Sequence, residues 1–194
     1  MATCDNLNAD ILIDCDNPPS GGANDRLILF NFDDINTNGT VTVDPSNSLL
    51  FTNIVMASGV RGYVFEGLNN SNEPRAALVK GRYVNGYDHE VIFKVFLNSP
   101  AAKLQLNKLD GAKVVALIQN NHKGEDGNAA FEIYGYETGL RLQELARVVA
   151  DAETQGAYNI TIRNDEVSRP SSLPQTLWDT NFATTKAIVD SLIV

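Results

Sequence analysis

The sequence predicts a mainly β protein: an antiparallel sandwich or barrel with one flanking internal helix and a C-terminal helix. Two observations lead there. Short apolar or β-branched runs recur at 26–32, 40–43, 90–97, 113–119 and 156–162, separated by clusters rich in Gly, Pro and Asn. Helical start and stop signals occur at only two places, around 99–111 and 180–192. With 194 residues, 43% hydrophobic and 20% charged, the chain is long enough for one domain with its own core.

In chain order, residues 1–25 read as an N-terminal arm. The apolar run Ile11-Leu12-Ile13 has the look of a strand, placed at the edge of its own sheet or against a neighbour. The stretch 16–25 is dense in Pro, Gly, Asn and Ser, which continue neither a helix nor a ladder. Residues 26–32 form a strand, apolar on both faces at its start. Asn38-Gly39 precedes β-branched 40–43 and signals a hairpin, since both residues tolerate positive φ. The same stretch places Asp34, Asn36 and Asn38 at positions one, three and five of a calcium loop, with Gly39 at six. Pro45 stands where such a loop needs its bidentate Glu, so the hairpin is favoured.

Residues 48–51 and 54–68 follow, the second with glycines that allow bulges or bends. Residues 69–74 form a loop, and 76–79, 83–84 and 90–97 are extended. In the last, Val91, Phe93, Val95 and Leu97 share one face, and Ile92 and Lys94 the other. Ser99-Pro100 supplies an N-cap and first helical position. Residues 101–109 present an apolar stripe, and Asp110-Gly111 stops the helix. Residues 113–119 are a buried strand and 120–128 a polar loop. Residues 129–134 are extended and lead into the corner Gly135-Tyr136-Glu137-Thr138-Gly139.

Residues 140–149 read two ways. As a helix, Leu142, Leu145, Val148 and Val149 share a side. As a strand, Leu140 and Leu142 face one way and a bulge near Gln143-Glu144 resets Leu145. The strand is favoured, because 156–162 after a short polar loop then completes an antiparallel hairpin. Residues 165–194 read as a C-terminal extension. It starts with an irregular Ser/Pro stretch, continues through the anchors Leu177 and Trp178, and ends in a helix from 182 to 192 capped by Thr180 or Asn181.

Charge and composition narrow the function classes. The net charge of −9 is uneven: residues 1–50 hold eight acids and one base, a balance of −7. Tight phosphate binding needs clustered Lys and Arg, so a nucleic-acid-binding surface is not expected. Cys4 and Cys15 form no C-x-x-C, and whether they pair is open. His89 and His122 lie far from them and from each other, so no zinc site is expected. No basic N-terminal region precedes an apolar run, and no apolar run is long enough to span a bilayer, so neither a signal peptide nor a membrane span is expected. No nucleophile stands beside a base, so no enzyme, catalytic residue or cofactor is expected.

The succession of helix, strand, polar loop, then Phe131-Glu-Ile-Tyr-Gly-Tyr-Glu-Thr-Gly-Leu140 leading to Gly156-Ala-Tyr158, resembles virion proteins of tailed bacteriophages, most of all the tail-tube type. The pattern covers residues 95–165, and the rest of the chain by length and layout. The resemblance implies six-membered rings that stack, with strands from all subunits lining an acidic channel along which DNA slides without specific binding. Partners would be further copies of the chain and other virion proteins. The place would be the virion tail, after synthesis in the host bacterial cytoplasm. A connector, a tail terminator or a capsid decoration protein would share these features. A different class is a calcium-dependent carbohydrate or cell-surface binding module, using Asp34, Asn36 and Asn38 with exposed Tyr63, Tyr83 or Tyr87.

Overall fold

The structure, a computed structural model, describes residues 10–11, 18, 20–81, 85–152 and 154–194. Cys4 and Cys15, whose pairing the sequence leaves open, and the expected strand at 83–84, with Tyr83, lie outside them. So does most of the 11–13 run, of which Ile11 is described.

Two sheets carry the fold. The larger has seven strands: β1 (Ala23–Asn31), β2 (Thr40–Asp44), β3 (Asn47–Val55), β4 (Tyr63–Glu66), β7 (Val114–Asn120), β8 (Phe131–Tyr134) and β11 (Gln175–Leu177). Their order is β2-β3-β11-β8-β7-β1-β4. The smaller has four: β5 (Glu73–Val79), β6 (Gly86–Val95), β9 (Arg141–Arg147) and β10 (Tyr158–Arg163), in the order β5-β6-β10-β9. All pairings are antiparallel except β11 with β3. Three α-helices complete the fold among the described residues: α1 (Phe32–Asn36), α2 (Pro100–Gly111) and α3 (Phe182–Ser191).

The central strands are apolar without alternation because both faces of the larger sheet are covered. Leu27 and Leu29 of β1, with Ala116 and Ile118 of β7, meet Phe93 of β6, Ile160 and Ile162 of β10, and Leu106 and Leu109 of α2. On the opposite face Ile28, Phe30, Val115 and Leu117 meet Ile35 of α1, Leu177 of β11 and Val189 of α3. The layers are therefore helix, seven-stranded sheet, four-stranded sheet. The smaller sheet buries one face only, and β6 alternates as expected: Val91, Phe93 and Val95 buried, Ile92 and Lys94 half-buried.

Several expectations hold in detail. The Ser99 side chain accepts from the Ala102 N–H, Pro100 begins α2, and the helix runs to Gly111. Residues 141–147 are strand, not helix. The β9 to β10 register steps from Glu144 opposite Thr161 to Leu142 opposite Ile162, which leaves Gln143 as the bulged residue. Asn181 caps α3 by accepting from the Thr184 N–H.

Two features differ from the sequence reading. First, Asn38-Gly39 does not join paired strands. β1 pairs with β4 and β7, and β2 with β3. Residues 32–36 wind into a helical turn, and the Thr37 and Asn38 N–H groups both donate to the Asp33 carbonyl. Gly39 serves close packing, because a Cβ there would stand 2.9 Å from the Ile35 carbonyl oxygen. The hairpin lies one strand further on, between β2 and β3. There Asp44 Oδ1 accepts from the Ser46 N–H at 2.8 Å and the Asn47 N–H at 3.1 Å. Second, β1 starts at Ala23, inside the stretch assigned to the arm. The 165–194 extension, with its anchors Leu177 and Trp178, packs into the same domain. β11 lies between β3 and β8, and α3 covers the larger sheet.

Candidate assembly surfaces

Among the described residues four strands have a partner on one side only: β2 and β4 at the ends of the larger sheet, β5 and β9 at the ends of the smaller. Open edges present unpaired N–H and C=O groups, and a protein that stays alone usually blunts them with charge, Pro or bulges. Here both kinds of feature occur: Glu73, Pro74 and Arg75 on β5, Arg141, Glu144 and Arg147 on β9 and Glu66 on β4 stand beside exposed apolar Val43 on β2, Tyr63 and Val64 on β4, Leu78 on β5 and Leu145 on β9. The bulge at Gln143 twists β9 but leaves its edge open.

The outward face of the smaller sheet is polar and ordered. Cross-strand registers place Arg75, Glu90, Arg163 and Arg141 in one row, and Glu73, Ile92, Thr161 and Glu144 in the next. Arg75 bonds Glu73 at 2.8 Å and Glu90 at 3.4 Å, and Arg141 meets Asp165 at 3.4 Å. Adding Asp88 and Lys94, the face holds four acids and four bases.

Two concavities flank the sheets. A groove of about 1200 Å³ runs between β4 and α2, over Phe65, Leu97, Leu106 and Leu109. A cleft of about 610 Å³ opens where the larger sheet overhangs the β5 edge, lined by Leu50, Ala76, Glu132, Tyr134, Thr176 and Trp178. Trp178 is fixed there by donation from its Nε1 to the Asp126 carbonyl at 3.3 Å.

A polar seam at His89 binds the layers together. His89 is buried on the inner face of β6. Its Nδ1 accepts from the Gly135 N–H at 3.2 Å, so Nε2 carries the proton and donates to the Ser172 carbonyl at 3.0 Å. Gly135 opens the corner after β8 at φ +78°, and a Cβ there would stand 2.5 Å from Leu140 Cγ. Glu137, in the same corner, accepts from the Ser171 N–H at 2.7 Å, the Ser171 hydroxyl at 2.9 Å and the Ser172 hydroxyl. Asp88 bridges Arg163 and Arg169, the latter at 2.8 Å. The 165–174 segment is thereby fastened to β6 and to the β8–β9 corner.

Burial drives the His89 pKa below its ordinary value, outweighing the Ser172 carbonyl and the charges of Glu137 and Asp88. Burial alone would raise the Asp88 carboxyl, but Arg169 and Arg163 outweigh it and hold it below the usual range. Glu137 is likewise lowered, by the Ser172 and Ser171 donors against burial. Burial, with Glu132 beside it, pushes the Tyr134 phenol up. Ser172, His89 and Glu137 are residue types of a hydrolytic triad without its geometry: the Ser172 hydroxyl donates to Glu137, and His89 Nε2 faces a carbonyl.

The sequence-predicted site residues are not gathered. Asp34 and Asn36 sit two apart on the helical turn α1, roughly 200° apart around its axis. Asp34 accepts from the Asn31 side chain at 2.8 Å, and the Asn36 amide donates to the Tyr136 carbonyl at 2.7 Å. Asn38 lies in the turn beyond. Among the described residues no group of three or more His, Cys, Asp and Glu is placed to hold a metal ion. Tyr63 is exposed on β4, whereas Tyr87 is half-buried and its N–H donates to the Pro170 carbonyl at 2.9 Å. His122 is half-buried in the 120–128 loop.

Sequence reasoning missed the seam and the groove. The parity of β6, which puts residue 89 on the face of 91, 93 and 95, was a usable signal for the burial of His89. Nothing local marks the groove, which forms only where α2 and β4 approach. Set against family models, curated proteins and solved structures, the chain matches none of them.

Proposed function

We propose that the protein is a structural subunit of a tailed-bacteriophage virion, a tail-tube protein whose copies close into six-membered rings that stack around a DNA-conducting channel. One observation carries this reading. The four strands β5-β6-β10-β9 alternate in direction, so the two open edges run antiparallel to each other. The β9 edge of one copy can therefore continue antiparallel into the β5 edge of the next, with no reversal of the subunit. Such a head-to-tail contact repeats around a ring, and a sheet continued through every copy closes as a barrel without edges.

The outward face of that sheet has balanced charge, four acids against four bases. If that face lined the channel, acidity would have to come from elsewhere, and the −7 of residues 1–50 is the largest reserve. An acidic wall repels a polyanion and lets it slide.

Electron microscopy of purified protein at high concentration is the test. Six-fold rings or tubes with the smaller sheet continuous between neighbours are expected. A connector, terminator or decoration protein would show another symmetry or fail to stack. A persistent monomer that is also missing from virions by mass spectrometry would overturn the assembly reading.

A further inference from the structure

We infer that the groove between β4 and α2 receives residues 9–15 of a second copy of the chain, added as a strand to the open edge of β4. The inference rests on the reading that the chain assembles with itself. It starts from the groove. Among the described residues β4 pairs with β1 alone, so the backbone of 63–66 has a free side there. Beside that edge lie Phe65, Leu97, Leu106 and Leu109, and Leu97 and Leu68 are exposed. A strand laid on β4 would satisfy its edge groups and put alternate side chains on this apolar floor, the usual chemistry of strand addition.

The occupant follows from three observations. The run Ile11-Leu12-Ile13 is an apolar triplet flanked by Asp10 and Asp14. The groove is lined by two bases, Arg61 and Lys108, against one acid, Glu66, in a protein of net charge −9. An acid-flanked apolar strand thus finds both an apolar floor and opposite charge. The root of the arm is also held at one end of the groove. The Asn121 N–H donates to the Gly22 carbonyl at 3.0 Å, and the Gly67 N–H donates to the Asp25 carbonyl at 2.8 Å. From Gly21, the eight residues back to Ile13 reach up to roughly 27 Å, enough to leave the parent subunit. Ile11 is 97% exposed in the single chain, so its own groove does not hold it. That makes a second copy the occupant.

Native Cys15 supplies the test. The full chain carries Cys4→Ser to leave one thiol, and Leu68→Cys or Arg61→Cys places a second at either end of the groove. Light and isotope-labelled chains are mixed, allowed to associate, oxidised mildly and analysed by non-reducing gel and mass spectrometry. Disulfides between light and heavy chains are expected from one of the two positions, and that position gives the direction of the added strand. A bond formed only within one chain, or none from either position, overturns the proposal. In parallel, Arg61→Glu is expected to weaken self-association at least tenfold by sedimentation, and Asp14→Lys in the same chain to recover most of it; no recovery counts against the contact. Oligomers without the cross-link remove this contact and leave assembly standing, whereas a chain monomeric at every concentration removes both.

Discussion

At the scale of single residues, His89 is the most informative position. Its proton arrangement is fixed by two backbone partners, a donor at Gly135 and an acceptor at Ser172. A second proton would set donor against donor at Nδ1. The direction of the pH effect follows from linkage. The folded-state pKa lies below the ordinary 6.5, so the unfolded chain takes up the proton first. Stability is therefore full above pH 6.5 and falls as pH drops below it towards the folded value. His89→Gln keeps an acceptor for Gly135 and a donor for Ser172 but cannot titrate. Thermal unfolding from pH 8 to 5 is expected to show a falling midpoint in the parent and a flat one in the variant. Parallel curves would remove His89 from this role. Asp88 and Glu137, whose folded pKa values are lowered, add a separate acid window. Their stabilisation is present above roughly pH 4 and lost below it, in parent and variant alike. The burial of His89 was legible as strand parity. Its partners were not, because Gly135 and Ser172 are long-range neighbours that no local pattern announces.

At the scale of elements, legibility tracks how local the cause is. The α2 boundaries rest on Ser99, Pro100 and Gly111, all within the helix or beside it. The bulge at Gln143 was readable because two apolar residues of 140–149 fall out of phase with the rest. Residues 38–39 misled for the same reason. Asn-Gly is a strong local hairpin signal, but β1 already has two neighbours, and Gly39 is present for its lack of a Cβ against the Ile35 carbonyl. The strand β11 was invisible: three residues between prolines and a tryptophan carry no period. Yet Leu177 is fully buried, at 0% exposure, and packs in the core under α3. Leu177→Ala is expected to cost about 2–5 kcal/mol, from lost burial plus the cavity left behind. Chemical denaturation checks it, and a loss below about 1 kcal/mol would mean the site collapses around the gap.

At the scale of the whole molecule, the two-sheet class was legible from the spacing of strands and turns. The partition of strands between sheets was not. Sheet membership depends on which strands meet across long connections, such as β1 with β7, and alternation is blind to that. The 165–194 region shows the consequence. Expected as an extension anchored by Leu177 and Trp178, it supplies an interior strand of the larger sheet, β11 between β3 and β8, and the helix that covers one face. A chain ending at residue 164 would leave the β2-β3 hairpin unpaired to the rest and bare the face under α3. It is expected to bind a hydrophobic dye and to lose its single cooperative unfolding transition. A truncated chain that still melts sharply, without dye binding, would show that the region is dispensable after all.

The position of β11 also sets a clock. During synthesis the ribosome delivers residues 175–177 after every other strand of the sheet, and until then β3 and β8 have a gap between them where their partner belongs. Nascent chains thus hold two additional unsatisfied edges inside the sheet, at the moment when crowded neighbours are also unfinished. Insertion of one short strand, parallel to β3 and antiparallel to β8, closes that gap. Translation through Leu177 therefore acts as a checkpoint: only then is the larger sheet continuous from β2 to β4, with just its outer edges open among the described residues.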